Sequence, residues 1–170
     1  MSPPHKKFQP SGKSKKPILI LTAKLISHSG DSLLLFPIFI TISLMDIDHL
    51  ARHAWPIVIG MAATAIIVWL IKIVVRKDRP KGSYGKFYRK TDPYTFPSGH
   101  SARVFTIVGL SIFNAGALFV FILVWAFSVS ISRFVLKLHY WNDIMVGSLL
   151  GLLIGIIFHW ILHGVWWGLS

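Results

Sequence analysis

Residues 54–75, AWPIVIGMAATAIIVWLIKIVV, carry no charge until Lys72. As an α-helix these 22 residues reach about 33 Å, enough to cross a hydrocarbon core of roughly 30 Å. Backbone inside lipid must satisfy its own hydrogen bonds, and for a run like this a helix is the way to do so. The composition agrees. Hydrophobic residues make up 54% of the chain and charged residues 14%, against about 25% charged in an ordinary soluble domain. A length of 170 residues allows one domain. With no cysteine, thiol catalysis, disulfides, haem thiolates and iron–sulfur clusters are excluded. A soluble enzyme with its own cofactor domain is ruled out, and the apolar content is too high for disorder.

The rest of the chain divides around that run. Residues 1–16 are rich in Pro, Lys and Ser and read as a basic flexible tail, so 17–170 is a single membrane-embedded domain. Residues 17–28, PILILTAKLISH, reach only about 18 Å and read as a short interfacial helix, with a six-span bundle as the alternative if they insert. A break follows at His28-Ser29-Gly30-Asp31. Five spans are expected at about 30–45, 54–75, 98–113, 117–132 and 142–163. The fold class is therefore all-α, an integral membrane bundle of five to six transmembrane helices. Gly147, Gly151 and Gly155, spaced by four, predict close helix approach. Trp160, Trp166 and Trp167 suit the aromatic belt at a membrane boundary.

This order of spans brings the end of the second, the start of the third, the end of the fourth and the start of the fifth to one membrane face. The loops 76–97 and 133–141 lie there too. Charge is concentrated in two stretches: of 18 Lys and Arg, six fall in residues 1–30 and nine in 72–103, against six acids in the chain, all Asp. Such clusters suit anionic lipid headgroups. A nucleic-acid partner is disfavoured, because a chain sunk in lipid leaves little surface for a duplex.

The polar residues at the span ends form three groups. The first is Lys72, six residues, then Arg79-Pro80. The second is Pro97-Ser98-Gly99-His100. The third is Ser132-Arg133, five residues, then His139, three residues, then Asp143. In this order they resemble the three signature motifs of the type 2 phosphatidic acid phosphatase superfamily, and every signature position is matched. The resemblance is strong over about 70–145. It implies a metal-free, cofactor-free phosphatase with a phosphohistidine intermediate. Lys72, Arg79 and Arg133 would surround the phosphoryl oxygens, the arginines through fork-like contacts. Backbone N–H groups at Ser98-Gly99 open a helix, a natural anion site. His139 would attack phosphorus, with Asp143 one turn on fixing its tautomer. His100 would protonate the leaving group and later help activate water. Arg103, Tyr84 and Tyr88 are candidate headgroup contacts.

Each residue also has a plainer reading. Lys72 and Arg76 can snorkel at a span end. Arg79 and Arg133 can pair with Asp78 and Asp143. His139 and Asp143 can be half a metal site, although Asp46 and Asp48 lie on the opposite face. Ser98, His139 and Asp143 mimic a serine triad, while Ser98 also suits a helix cap touching phosphate. His159 and His163 read as boundary residues beside the C-terminal tryptophans. His49 and His53 read as solvated, and His5 lies in the tail.

The expected function is removal of a terminal phosphate from a lipid phosphate or diphosphate drawn from the bilayer. Prenyl diphosphates, phosphatidylglycerophosphate and the lipid A 1-phosphate are the substrates the resemblance suggests. Rivals are a lipid phosphotransferase with a second lipid as acceptor, and a non-enzymatic transporter or binder of lipid anions. A binder needs cations but neither a nucleophile nor a separate acid. The resemblance implies a cell membrane location with the site on the extracytoplasmic face. The positive-inside rule argues the other way unless 17–28 spans and carries the basic tail across.

Overall fold

The computed structural model describes residues 16–45, 48–80, 92–113 and 116–166. Among them are six helices: α1 (Lys16–Ser29), α2 (Ser32–Leu44), α3 (Asp48–Val75), α4 (Gly99–Ser111), α5 (Leu118–Val135) and α6 (Trp141–Trp166). The one β-type pairing among the described residues is an isolated bridge between Asp78 and Tyr94. The protein is an all-α membrane bundle, as the apolar runs require.

Three helical stretches are long and apolar enough to cross a bilayer: Ala54–Val75, Leu118–Val135 and Trp141–Leu162. Among the described residues, Pro17–Ser29 and Ser32–Leu44 meet at a 41° bend and are long and apolar enough only as a pair, the pattern of a broken span or a re-entrant loop. The sequence separates these two helices into a surface element and a span. In the structure α1 instead runs antiparallel to α5, with its residues stepping down that helix in order. Ile20 and Ala23 pack on Leu136 and Leu138, Ser27 meets Arg133, and Ser29 accepts from the Trp125 indole. Each helix is too short to cross alone, but the pair exceeds the core thickness. The chain thus enters α1 at the end of the bundle where α5 finishes.

Helix α4 is the hub. It has 13 residues, about 20 Å, and is buried on all sides from Gly99 to Leu110 except at Arg103. Val104, Phe105 and Val108 pack on Ala126 and Val129 of α5. Ile107 meets Leu35 of α2 and Met61 of α3. On its third side α4 lies against α6 at backbone contact. A Cβ on Gly147 would come 2.5 Å from Ser98 O, and one on Gly151 or Gly155 would collide with the carbonyl of Ala102 or Thr106. The four-residue glycine stripe thus carries the close approach its spacing predicts. Thr64 and Thr106 pair inside the bundle: their hydroxyls lie 2.7 Å apart, and each is also within 2.9 Å of a carbonyl on its own helix, so one donates to the other and the other to its carbonyl. The outer surface is apolar, with Trp69, Phe121, Val124, Leu149 and Trp160 all exposed, as a lipid-facing surface requires.

His159 departs from the boundary position its neighbours suggest. It is buried, its Nδ1 lies 3.3 Å from Leu110 O, and its ring stands 4.8 Å from Phe113. The carbonyls at the end of α4 have no helical partner of their own, and an imidazole from α6 supplies one. The side chains of His49, His53 and His163, like Trp166 and Trp167, lie outside the described residues.

Candidate active site

Two helices stop in the same way at the motif end. Arg76 after α3 and Lys137 after α5 adopt left-handed backbone, with φ of 48° and 53°. Neither is glycine, and this conformation costs a residue with a Cβ about 1–2 kcal/mol. The sharp stops turn both chains back over the bundle end, where they meet: Arg79 Nη1 donates to Leu138 O at 2.9 Å and lies 3.5 Å from His139 Nε2. The loop after Arg79 returns beside its own start, since Thr95 N donates to Lys77 O at 2.8 Å and Tyr94 bridges Asp78. Tyr84 and Tyr88, expected at the lipid headgroup, lie outside the described residues.

Helix α4 begins under this loop. Ser98 is its N-cap; its Oγ accepts from Ser101 N at 3.4 Å and contacts Ser101 Oγ at 3.0 Å. The Ser98 N–H donates to Asp143 O at 2.9 Å, tying the start of α4 to the first turn of α6. The glycine at 147 permits this contact, because its missing side chain would overlap Ser98. The serine hydroxyl is engaged by the cap and faces Ser101 instead of His139, so the serine-triad geometry is not formed.

His139 and Asp143 meet through an intermediary. Thr95 O accepts from His139 Nδ1 at 2.8 Å. Thr95 Oγ1 lies 3.0 Å from the same nitrogen and donates to Asp143 Oδ2 at 2.7 Å. The carboxylate itself is 3.9 Å from the ring, outside hydrogen-bond range. Direct bonding of Asp143 to the ring, the expectation from i, i+4 spacing, is therefore replaced by a Thr95 bridge. Asp143 is fully buried and also takes Lys77 Nζ at 2.6 Å and Tyr140 N at 2.9 Å. The last contact is a side chain in the first helical turn reaching back to the capping N–H. With a carbonyl on Nδ1, the proton stays there and the Nε2 lone pair points toward Arg79. Burial, followed by the charges of Arg133, Arg79 and Lys72, holds the His139 imidazole well below its ordinary pKa, so the ring is neutral near pH 7.

The cations are organised rather than snorkelling. Lys72 Nζ is buried and bonds Asp92 Oδ2 at 2.5 Å and Tyr94 O at 2.9 Å. Arg79 sends Nη2 to the same carboxylate oxygen at 2.9 Å and Nε to Asp92 O at 2.9 Å. Asp92, not Asp78, is thus the counter-ion shared by both. Arg133 is 1% exposed and reaches Ser27 Oγ of α1 with Nη1. Arg103 is half-buried, with Nη1 3.5 Å from where a Gly99 Cβ would stand. His100 Nε2 contacts Asp31 Oδ1 at 2.5 Å.

The structure therefore brings Lys72, Arg79, Ser98, Gly99, His100, Arg103, Arg133, His139 and Asp143 to one end of the bundle. It adds Ser27, Asp31, Lys77, Asp92 and Thr95, which the motifs do not contain. A signal for Asp31 was available: a carboxylate at a break between two apolar runs is costly unless it has a task. Thr95, next to Phe96-Pro97, carries no comparable signal. Among the described residues no three His, Asp or Glu side chains gather as metal ligands. The arrangement is a buried cluster of cations with one neutral imidazole whose lone pair faces a guanidinium and a second imidazole paired to a carboxylate.

The chain is similar to several known proteins. Over 77 residues the chain is 36% identical to the lipid A 4'-phosphatase of Bacteroides thetaiotaomicron, covering 44% of this chain and 34% of that protein. Over 96 residues it is 29% identical to the probable lipid phosphate phosphatase beta of Arabidopsis thaliana, covering 55% and 44%. It thus spans less than half the length of these curated relatives. Its fold is similar to the crystal structure of Aquifex aeolicus LpxE, with a TM-score of 0.69, 23% identity, and 85% and 87% of the two chains covered. It is also similar to a transmembrane PAP2-type phosphatidylglycerolphosphate phosphatase from Bacillus subtilis, with a TM-score of 0.73, 20% identity, and 86% and 78% covered. The PAP2 superfamily model matches residues 53–167, well over half of the sequence and all three motifs, and the chain belongs to that superfamily.

Proposed function

We propose that this protein is an integral membrane lipid phosphatase that removes a terminal phosphate from a lipid phosphate or diphosphate through a phosphohistidine at His139. The observation that carries the reading is the state of that ring: Nδ1 donates to Thr95 O, and Nε2 lies 3.5 Å from Arg79 Nη1. A nucleophile in a cationic pocket is well placed against phosphorus, because the guanidinium draws the phosphoryl oxygens to it.

In the first step the Nε2–P bond forms and the P–O bond to the lipid breaks. Lys72, Arg79, Arg133 and the N–H groups at the start of α4 take the charge on the equatorial oxygens. His100 gives a proton to the departing oxygen. In the second step His100 takes a proton from water, water oxygen bonds to phosphorus, and the N–P bond breaks. The cations are all side chains, which supports chemistry that needs no metal and no cofactor. Arg103, Tyr84 and Tyr88 would meet the headgroup.

The apolar exterior supports a substrate that enters from the bilayer. Lipid A phosphates, phosphatidylglycerophosphate and prenyl diphosphates share the required group, a phosphate on a membrane-anchored lipid. Residues 17–170 act as one domain in this reading, with 1–16 as a basic tail. The side of the membrane is where the geometry presses hardest. Helix α1 enters at the motif end, so the positive-inside rule assigns that end to the cytoplasm, against the extracytoplasmic face implied by the resemblance. The chain has no cysteine, so a single introduced Cys at Lys137, tested with an impermeant maleimide on intact cells, reads the face directly.

The test of function is phosphate release from long-chain phosphates in detergent, with EDTA present. Release that survives EDTA and disappears in His139→Ala supports the reading. Release that needs a divalent ion, or transfer of phosphate to a second lipid with none reaching water, would replace it.

A further inference from the structure

Asp31 stands at the break between α1 and α2, at the N-cap position of α2. Aspartate is favoured there because its carboxylate accepts from the first free N–H groups of the helix. Here the side chain makes no capping bond. It turns away from its own helix: Oδ1 lies 2.5 Å from His100 Nε2, and Oδ2 lies 2.7 Å from His28 Nδ1. The break is shaped for this reach. Gly30 sits against α4 and α5, where a Cβ would come 2.6 Å from Val129 and 3.2 Å from Val104. The turn is closed by Gly30 N to Ser27 O and Asp31 N to His28 O. Carboxylates among membrane helices are costly and are kept for a task. Arg103 and Arg133 place two positive charges around the His100 ring, and Asp31 is the anion that opposes them there.

We propose that Asp31 is the positioning residue for His100, the counterpart of the Thr95–Asp143 pair behind His139. This rests on the phosphatase reading above. Asp31 holds Nε2, fixes the ring plane and stabilises the imidazolium without taking its proton. Nδ1 is then the atom that exchanges the proton: its N–H bond breaks as the O–H bond of the leaving group forms, and the ring is left neutral. His28, which touches the other carboxylate oxygen, is exposed and has no part in the transfer.

The experiment compares two long-chain phosphates, one with an alkyl and one with an aryl leaving group, on full-length protein. For Asp31→Asn, kcat on the alkyl substrate should fall about 10- to 100-fold, part of what a general acid supplies, with KM within about twofold. On the aryl substrate, whose leaving group needs little protonation, single-turnover release of the leaving group should slow by less than about threefold, although steady-state turnover, which includes the water step, falls. Adding Asp31→Asn to His100→Asn should change nothing further. Equal losses in single-turnover release of the two leaving groups, or additivity in the His100→Asn background, would overturn the assignment. A second readout needs no turnover: a downfield ring N–H proton resonance assigned to His100 should vanish in Asp31→Asn and persist in His28→Ala. Persistence in Asp31→Asn overturns the pairing. If the wild type hydrolyses no lipid phosphate, the phosphatase reading fails and the resonance alone decides the pairing.

Discussion

The site has two halves, and they hold the same side chain in opposite ways. In the loop half, His139 gives its Nδ1 proton to a neutral carbonyl, Thr95 O, while Asp143 stays 3.9 Å from the ring and neutralises Lys77 instead. In the helix half, His100 meets a carboxylate directly through Asp31. A neutral acceptor fixes a tautomer and leaves a lone pair. An anionic acceptor favours the protonated ring. On the proposed reading this is how one pocket keeps a nucleophile and an acid apart although both are imidazoles. The halves are joined by backbone: Ser98 N to Asp143 O ties the helix that carries His100 to the helix that carries Asp143.

The largest effect should come from the loop half. His139→Ala should lower turnover at least about 10³-fold for every leaving group, because on the proposed mechanism it removes the bond-forming atom. His100→Ala should be selective in the first step, where phosphoenzyme formation should slow about 10²- to 10⁴-fold with alkyl leaving groups and far less with aryl ones. Equal losses in both variants on both substrates would erase the distinction between the halves.

Thr95→Val keeps the carbonyl that orients His139 but removes the hydroxyl between ring and Asp143. Turnover should fall about tenfold, and the buried carboxylate, one donor short, should lower stability by about 1–3 kcal/mol. A thermal midpoint equal to wild type would show that the bridge is not formed in the membrane.

The buried His139 ring also has a signature in pH. Its folded pKa is depressed, so below the unfolded value of about 6.5 the unfolded chain binds the proton more readily. The stability this group contributes is present above that pH and is lost as pH falls toward the folded pKa. Thermal midpoints measured from pH 7.5 to 5 should fall less in His139→Asn than in wild type. The smallest effect is outside both halves: Lys137→Gly relieves a left-handed residue at the end of α5 and should raise stability by up to about 1 kcal/mol.

What the sequence makes legible is what periodicity and motif spacing encode. The bundle, the gathering of Lys72, Arg79, Ser98, His100, Arg133, His139 and Asp143 at one end, and the glycine approach of α6 to α4 all follow from span order and residue type. The contacts that complete the site do not. Asp31 reaches His100 across 69 positions and Thr95 reaches His139 across 44, and neither spacing has a local period. The i, i+4 rule places Asp143 near His139 but says nothing of a third side chain between them. Hydropathy alone likewise reads residues 17–44 as two elements, because a bend at Gly30-Asp31 is set by packing on α4 and α5.

The most direct measurement is to trap the phosphoenzyme from a radiolabelled long-chain phosphate and ask where the label sits. An acid-labile, base-stable adduct is expected on His139, absent in His139→Ala and accumulating in His100→Ala when the leaving group is good. Label on Ser98 as an acid-stable ester, or on His100 with His139→Ala still competent, would contradict it.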